Sequence, residues 1–235
     1  MSTPVSTSWT TIGGSAGNID AYLALPPAGR GPGLLLLQEI FGVNEHIRAV
    51  AEQYALDGFV VLAPDVFWQQ QRRLDIGYTP DDIQRGRALA MAADKQALQR
   101  DLADAVRWLR ARPEVQGRGL GAFGYCMGGR LAYVAAATAG VDAAVAYYGG
   151  GIQDMLDLAP QVRCPMQFHY GALDANIPLT AVDKVRSAMQ GHSAEVFVYD
   201  TADHGFNCWA RGSYHAPSAA LAHGRTLQFL ASTLF

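Results

Sequence analysis

Two kinds of apolar pattern divide the chain. As far as Leu25 polar and apolar positions alternate loosely, with Gly13, Gly14 and Gly17 as turn signals, which predicts a hairpin at the edge of a sheet. Beyond it, Leu34 to Leu37 and Phe59 to Ala63 are apolar without alternation, as a strand covered on both faces by helices requires. Leu120 to Tyr125, Ala143 to Tyr148, Met166 to Tyr170 and Glu195 to Tyr199 are further strand candidates.

Helical spacing fills the gaps. Asn44 is placed to cap a helix carrying Ile47, Val50, Ala51 and Tyr54 on one face, with Gly58 beyond its end. Thr79, followed by Pro80, Asp81 and Asp82, starts a second helix toward Ala93. Leu98, Leu102, Val106 and Leu109 mark a third, and others are expected over Met127 to about Thr138, Thr180 to Met189 and Ser218 to Leu234. Strand-then-helix order without a linker predicts one α/β domain over residues 1–235, built on a doubly wound, mostly parallel sheet.

Composition narrows the class of function. Half of the 235 residues are apolar, enough to bury a large core. The formal charge is −3 and neither sign forms a long run, which argues against a nucleic-acid or lipid-headgroup partner. The opening MSTPVSTSWTT has neither a basic nor an apolar region of an export signal, and no run of about eighteen apolar residues is present. Three cysteines, an odd number, suit a reducing compartment, so a soluble cytoplasmic protein is expected.

In a doubly wound sheet, ligands bind beyond the carboxyl ends of the strands. Glu39, Cys126, Asp174 and His204 each follow a different predicted strand. Gly124-Tyr125-Cys126-Met127-Gly128-Gly129 closes a strand and opens a helix, with the form of a nucleophile elbow carrying Cys in place of Ser. Small residues on either side let strand and helix approach, the turn projects the side chain, and the Met127 N–H stays free for an oxyanion. A free cysteine is commonly structural. Here, however, nucleophile, acid and histidine stand in the chain order of an α/β hydrolase, with Asp174 preferred to Asp200 and Asp203 because it follows a strand directly. His169, inside an apolar strand, reads as a core residue, and His46, His192, His215 and His223 have no motif around them. No metal-ligand spacing appears, and the GxGxxG match at Gly119–Gly124 precedes a strand instead of following one, so neither metal nor dinucleotide is expected.

Gln38-Glu39-Ile40-Phe41-Gly42, Ala63-Pro64-Asp65, the Cys126 elbow, Tyr147-Tyr148-Gly149, Gly171-Ala172-Leu173-Asp174 and His204-Gly205-Phe206 together resemble the dienelactone hydrolase (carboxymethylenebutenolidase) family over roughly residues 10 to 234. The resemblance implies an α/β-hydrolase fold and cofactor-free opening of a small lactone or ester, the type reaction turning dienelactone into maleylacetate. Cys126 would be the nucleophile, His204 the base, Asp174 its orienting acid, and Ile40 and Met127 the oxyanion-hole N–H donors. Glu39 would contact the resting thiol, while Phe41, Tyr148 and Phe206 would line the pocket. Family members acting on dienelactone carry an arginine four residues after the histidine, where this chain has Cys208 beside Trp209. A second family arginine corresponds to Arg85 or Arg87, with Asp81 and Asp82 competing for the position. The change at Cys208 leaves open a broad carboxylesterase or thioesterase, or a non-catalytic binder of small molecules, on the same scaffold. The assembly expected is a monomer or a small homo-oligomer.

Overall fold

The computed structural model describes residues 4–235. The first three residues of the segment read for an export signal lie outside that range. Eight strands form one sheet: β1 (Ser6–Gly14), β2 (Gly17–Leu25), β3 (Gly33–Leu37), β4 (Val60–Pro64), β5 (Leu120–Tyr125), β6 (Ala143–Tyr147), β7 (Met166–Gly171) and β8 (Ala194–Tyr199), in the order β1-β2-β4-β3-β5-β6-β7-β8. The expected hairpin lies at the edge, β1 and β2 pairing antiparallel and β2 joining β4 antiparallel. All remaining pairs are parallel.

Every residue of β3 to β7 is buried, which explains why their sequences do not alternate. The helices are α1 (Glu45–Leu56), α2 (Pro80–Ala92), α3 (Lys95–Arg110), α4 (Met127–Thr138), α5 (Leu179–Ala188) and α6 (Ala216–Leu234). Local chemistry sets their starts. Asn44 Oδ1 accepts from the Ile47 N–H at 3.2 Å, and Thr79 and Asp82 form a reciprocal capping box ahead of α2. Two 3-10 turns, Ile152–Asp154 and Leu156–Gln161, lie between β6 and β7, where the sequence carries no helical period. None of the described helices is long and apolar enough to cross a membrane.

A buried polar chain ties α6 to the sheet. Thr226 Oγ1 lies 2.7 Å from the Tyr147 hydroxyl and 3.2 Å from His169 Nε2, while His169 Nδ1 meets the Tyr199 hydroxyl at 2.9 Å. Burial, with the Arg225 charge, pulls the His169 pKa down to about 3, so this ring is a neutral core residue.

Candidate active site

At the carboxyl end of β5 the chain turns sharply into α4. Cys126 adopts φ 55° and ψ −116°, a left-handed-side conformation for a residue with a side chain. Its N–H donates to the Tyr147 carbonyl at 3.0 Å, and its own carbonyl accepts from Arg130 at 3.2 Å. The turn closes because of its glycines: a Cβ on Gly128 would strike the Leu37 carbonyl, and one on Gly124 would come within 2.5 Å of the Gly128 backbone. Cys126 is part-exposed, while Met127, the first residue of α4, has an N–H with no intrahelical acceptor.

The loop after β8 brings His204 to the same place. Its Nδ1 lies 2.7 Å from Asp174 Oδ2. Asp174, in the loop after β7, is held in turn, its Oδ1 accepting from the N–H groups of Asn176 (2.9 Å) and Ile177 (3.2 Å). The Asp203 side chain accepts from the His204 backbone N–H, at 2.6 Å, and Asp200 is exposed. Burial alone would lower the His204 pKa, but hydrogen bonds with Asp174 and Cys126, and the charges of both, push it up to about 10. Burial also pushes the other two thiols up, Cys164 to about 11 and Cys208 to about 12.

Beyond β3, the loop from Glu39 to Asn44 is pinned by the segment 75–78: Gly42 bridges Asp75, Ile76 N–H donates to the Phe41 carbonyl at 3.3 Å, and Asn44 Nδ2 reaches the Tyr78 hydroxyl at 3.1 Å. This places Glu39 and Ile40 at the strand end. Glu39 is buried, with Oε1 3.1 Å from Arg211 Nη1 and Oε2 without a hydrogen-bonding partner among the described residues. Burial pushes its carboxyl above the ordinary value, against the pull of Arg211 and His204. The Arg211 guanidinium lies over the rings of Phe41 (5.7 Å) and Tyr78 (5.9 Å). It fits because Gly205, at φ 80°, has no Cβ, which would stand 2.5 Å from Nη1.

Tyr148, at φ 35°, sets its ring 5.1 Å from His204 and 5.4 Å from Phe206, both in or beside the loop after β8. Cys208 is buried and donates to the Tyr78 hydroxyl at 3.3 Å, and Trp209 is 45% exposed. Arg85 is not brought to this cluster, correcting the expectation from sequence. It is exposed and its guanidinium donates to Gln71 Oε1 at 2.8 Å, because only Gly86 of α2 is buried and the helix turns Arg85 outward. Sequence reasoning missed Arg211, seven residues past the histidine. The only available signal was a basic residue within the loop that delivers His204.

Comparison with known proteins gives a consistent answer. The profile of the dienelactone hydrolase family matches residues 19–234. A carboxymethylenebutenolidase from Pseudomonas putida is 34% identical over 214 residues, covering 90% of this chain and 90% of that protein. A candidate carboxymethylenebutenolidase from Synechocystis is 31% identical over 245 residues, spanning 100% of both chains. The crystal structure of a candidate dienelactone hydrolase from Klebsiella pneumoniae superimposes with a TM-score of 0.86 at 32% identity, covering 97% of this chain and 98% of that one.

Proposed function

The chain belongs to the dienelactone hydrolase family and is a hydrolase of lactone or ester bonds, and from that premise we propose that it works through a Cys126-His204-Asp174 triad and an acyl-thioester intermediate. The reading rests on one observation: the side chain projected at the start of α4 adjoins an imidazole whose far nitrogen is fixed by a buried carboxylate. Cys126 sulfur attacks the substrate carbonyl as thiolate, with protonated His204 and the N-terminus of α4 beside the charge. The N–H groups of Met127 and Ile40 bind the oxyanion, a donor of this kind being worth about 3–4 kcal/mol. The carbon–oxygen bond of the lactone or ester breaks as His204 passes its proton to the departing oxygen, and the neutral imidazole then takes a proton from the water that cleaves the thioester, which frees the Cys126 thiolate beside a protonated His204 again.

Arg211 bears on substrate class. The family's arginine position holds Cys208, yet a guanidinium three residues further on still reaches Glu39. A substrate carboxylate would find a paired donor there, taking the place of Glu39 on the guanidinium. This favours dienelactone-like substrates over neutral esters. The unpaired thiols of Cys126, Cys164 and Cys208 suit the cytoplasm.

Cys126→Ala tests the mechanism, with loss of lactone hydrolysis expected, loss of the acyl-protein mass adduct, and an unchanged melting curve. Hydrolysis at the original rate would refute the nucleophile. A comparison of cis-dienelactone with a neutral aryl acetate tests the substrate, and preference for the acetate would move the activity to a broad carboxylesterase.

A further inference from the structure

His169 and His46 are both buried, but the chain treats their rings in opposite ways. His169 has a hydroxyl against each nitrogen. His46 is 3% exposed, and neither Nδ1 nor Nε2 has a hydrogen-bonding partner among the described residues. Such a ring carries the desolvation cost of two polar atoms without compensation, so a leucine or phenylalanine would serve packing better at this position.

Its surroundings belong to the candidate site. His46 lies in the first turn of α1, directly after the loop that carries Glu39 and Ile40. Its ring meets the Trp209 indole edge-on, centroids 4.3 Å apart, and lies 6.2 Å from the ring of Tyr125, the residue before Cys126. Of those two rings only Trp209 is exposed, so it is the indole that borders solvent beside the imidazole. Burial, reinforced by the Arg211 charge, pulls the His46 pKa down to about 4. At neutral pH the ring therefore offers one N–H donor and one bare nitrogen, the complement of a hydroxyl group and not of a carboxylate.

We propose that His46 is a substrate-binding residue that hydrogen-bonds a hydroxyl group on the acyl part of the substrate once Trp209 has moved aside. The inference rests on the proposed reading of the site and adds to it a preference for hydroxylated acyl groups. Arg211 and Glu39 deal with charge, and His46 with a neutral oxygen.

The test compares phenyl lactate with phenyl propionate, which differ by one hydroxyl. His46→Phe keeps a ring against Trp209 and should lower the lactate-to-propionate ratio of kcat/KM about tenfold, with the change in KM, because one neutral hydrogen bond is lost. His46→Gln should recover part of it. Equal losses on both esters, or an unchanged ratio, would overturn the proposal. Should His46→Phe fail to fold, the ring resonances of His46 in the wild-type protein are followed by NMR during titration with lactate and with propionate. A shift with lactate alone is expected, and identical responses refute the inference. The same titration on Cys126→Ala separates this claim from the nucleophile assignment, since hydroxyl binding needs no turnover.

Discussion

Asp174 and Glu39 are two carboxylates buried to the same depth at strand ends around one thiol, yet the fold treats them differently. Asp174 has both oxygens engaged, one by His204 at 2.7 Å and the other by two backbone N–H groups. Glu39 has one oxygen on Arg211 at 3.1 Å and the other without a hydrogen-bonding partner among the described residues. A carboxylate with both oxygens bonded cannot turn without losing several charge-assisted bonds at once, and so it fixes its partner. One with an unpaired oxygen gives up little by changing partner. The first arrangement suits an orienting acid, the second a group that exchanges an arginine for a substrate or a proton.

Removing the fixed member should do the most damage. Asp174→Asn keeps the volume but can present an N–H to His204 Nδ1, and kcat should fall by about three to four orders of magnitude with little change in KM, as expected of a lost orienting acid. The pH dependence carries a second signature. His204 is raised to about 10 in the fold from an ordinary 6.5. Wild-type activity should therefore persist through neutrality and fall as the ring loses its proton near pH 10, and in the variant that fall should come at lower pH. For stability the sign is that of a raised base: the stabilisation is complete below the unfolded pKa of about 6.5 and is lost as pH rises through about 10. The gap in melting temperature between wild type and variant should narrow over that interval. A loss appearing in KM would contradict the fixed role given to Asp174.

The exchanging pair should respond in the other parameter. Arg211→Lys keeps the charge but loses the planar fork lying over Phe41 and Tyr78. KM for cis-dienelactone should rise about tenfold while a neutral aryl acetate is affected far less. Equal effects on both substrates would show that Arg211 merely holds Glu39 in place.

The difference between the two carboxylates also explains what could be read from the sequence. The placement of Cys126, Asp174 and His204 after strands was legible because each strand carries a clear apolar run, and α4 runs from Met127 to Thr138 as its glycines and spacing predicted. Arg211 was not legible. It lies in an irregular loop, and its path to Glu39 depends on the missing Cβ of Gly205 and on two rings from distant segments, none of which has a period. Arg85 was misplaced for a related reason. A capping box fixes where α2 begins, but a helix with a single buried residue has no apolar stripe to say which side faces the site. His46 was passed over because the stripe of α1 accounts for Ile47, Val50, Ala51 and Tyr54, and the absence of partners around a ring is visible only in three dimensions.

The smallest effect is expected where α2 touches the Glu39 loop. Gly86 is buried against Ile40, and a Cβ there would meet the Ile40 carbonyl and come within 3.1 Å of its Cγ1. Gly86→Ala therefore forces either the helix or the loop to move. The helix should yield first, because its other described ties include exposed ones, Arg85 to Gln71 at 2.8 Å and Gln70 to the Leu89 carbonyl at 3.2 Å. Alanine is also favoured over glycine inside a helix by about 0.5–1 kcal/mol, which offsets part of the steric cost, so the melting temperature should change little. The residual push on the Ile40 peptide should lower kcat about fivefold, short of the ~100-fold cost of a 1 Å displacement of reacting groups. If the loss matched that of Asp174→Asn, the Glu39 loop would be as rigid as the Asp174 loop and the contrast between the carboxylates would fail. No loss at all would mean that α2 does not bear on the oxyanion side of the site.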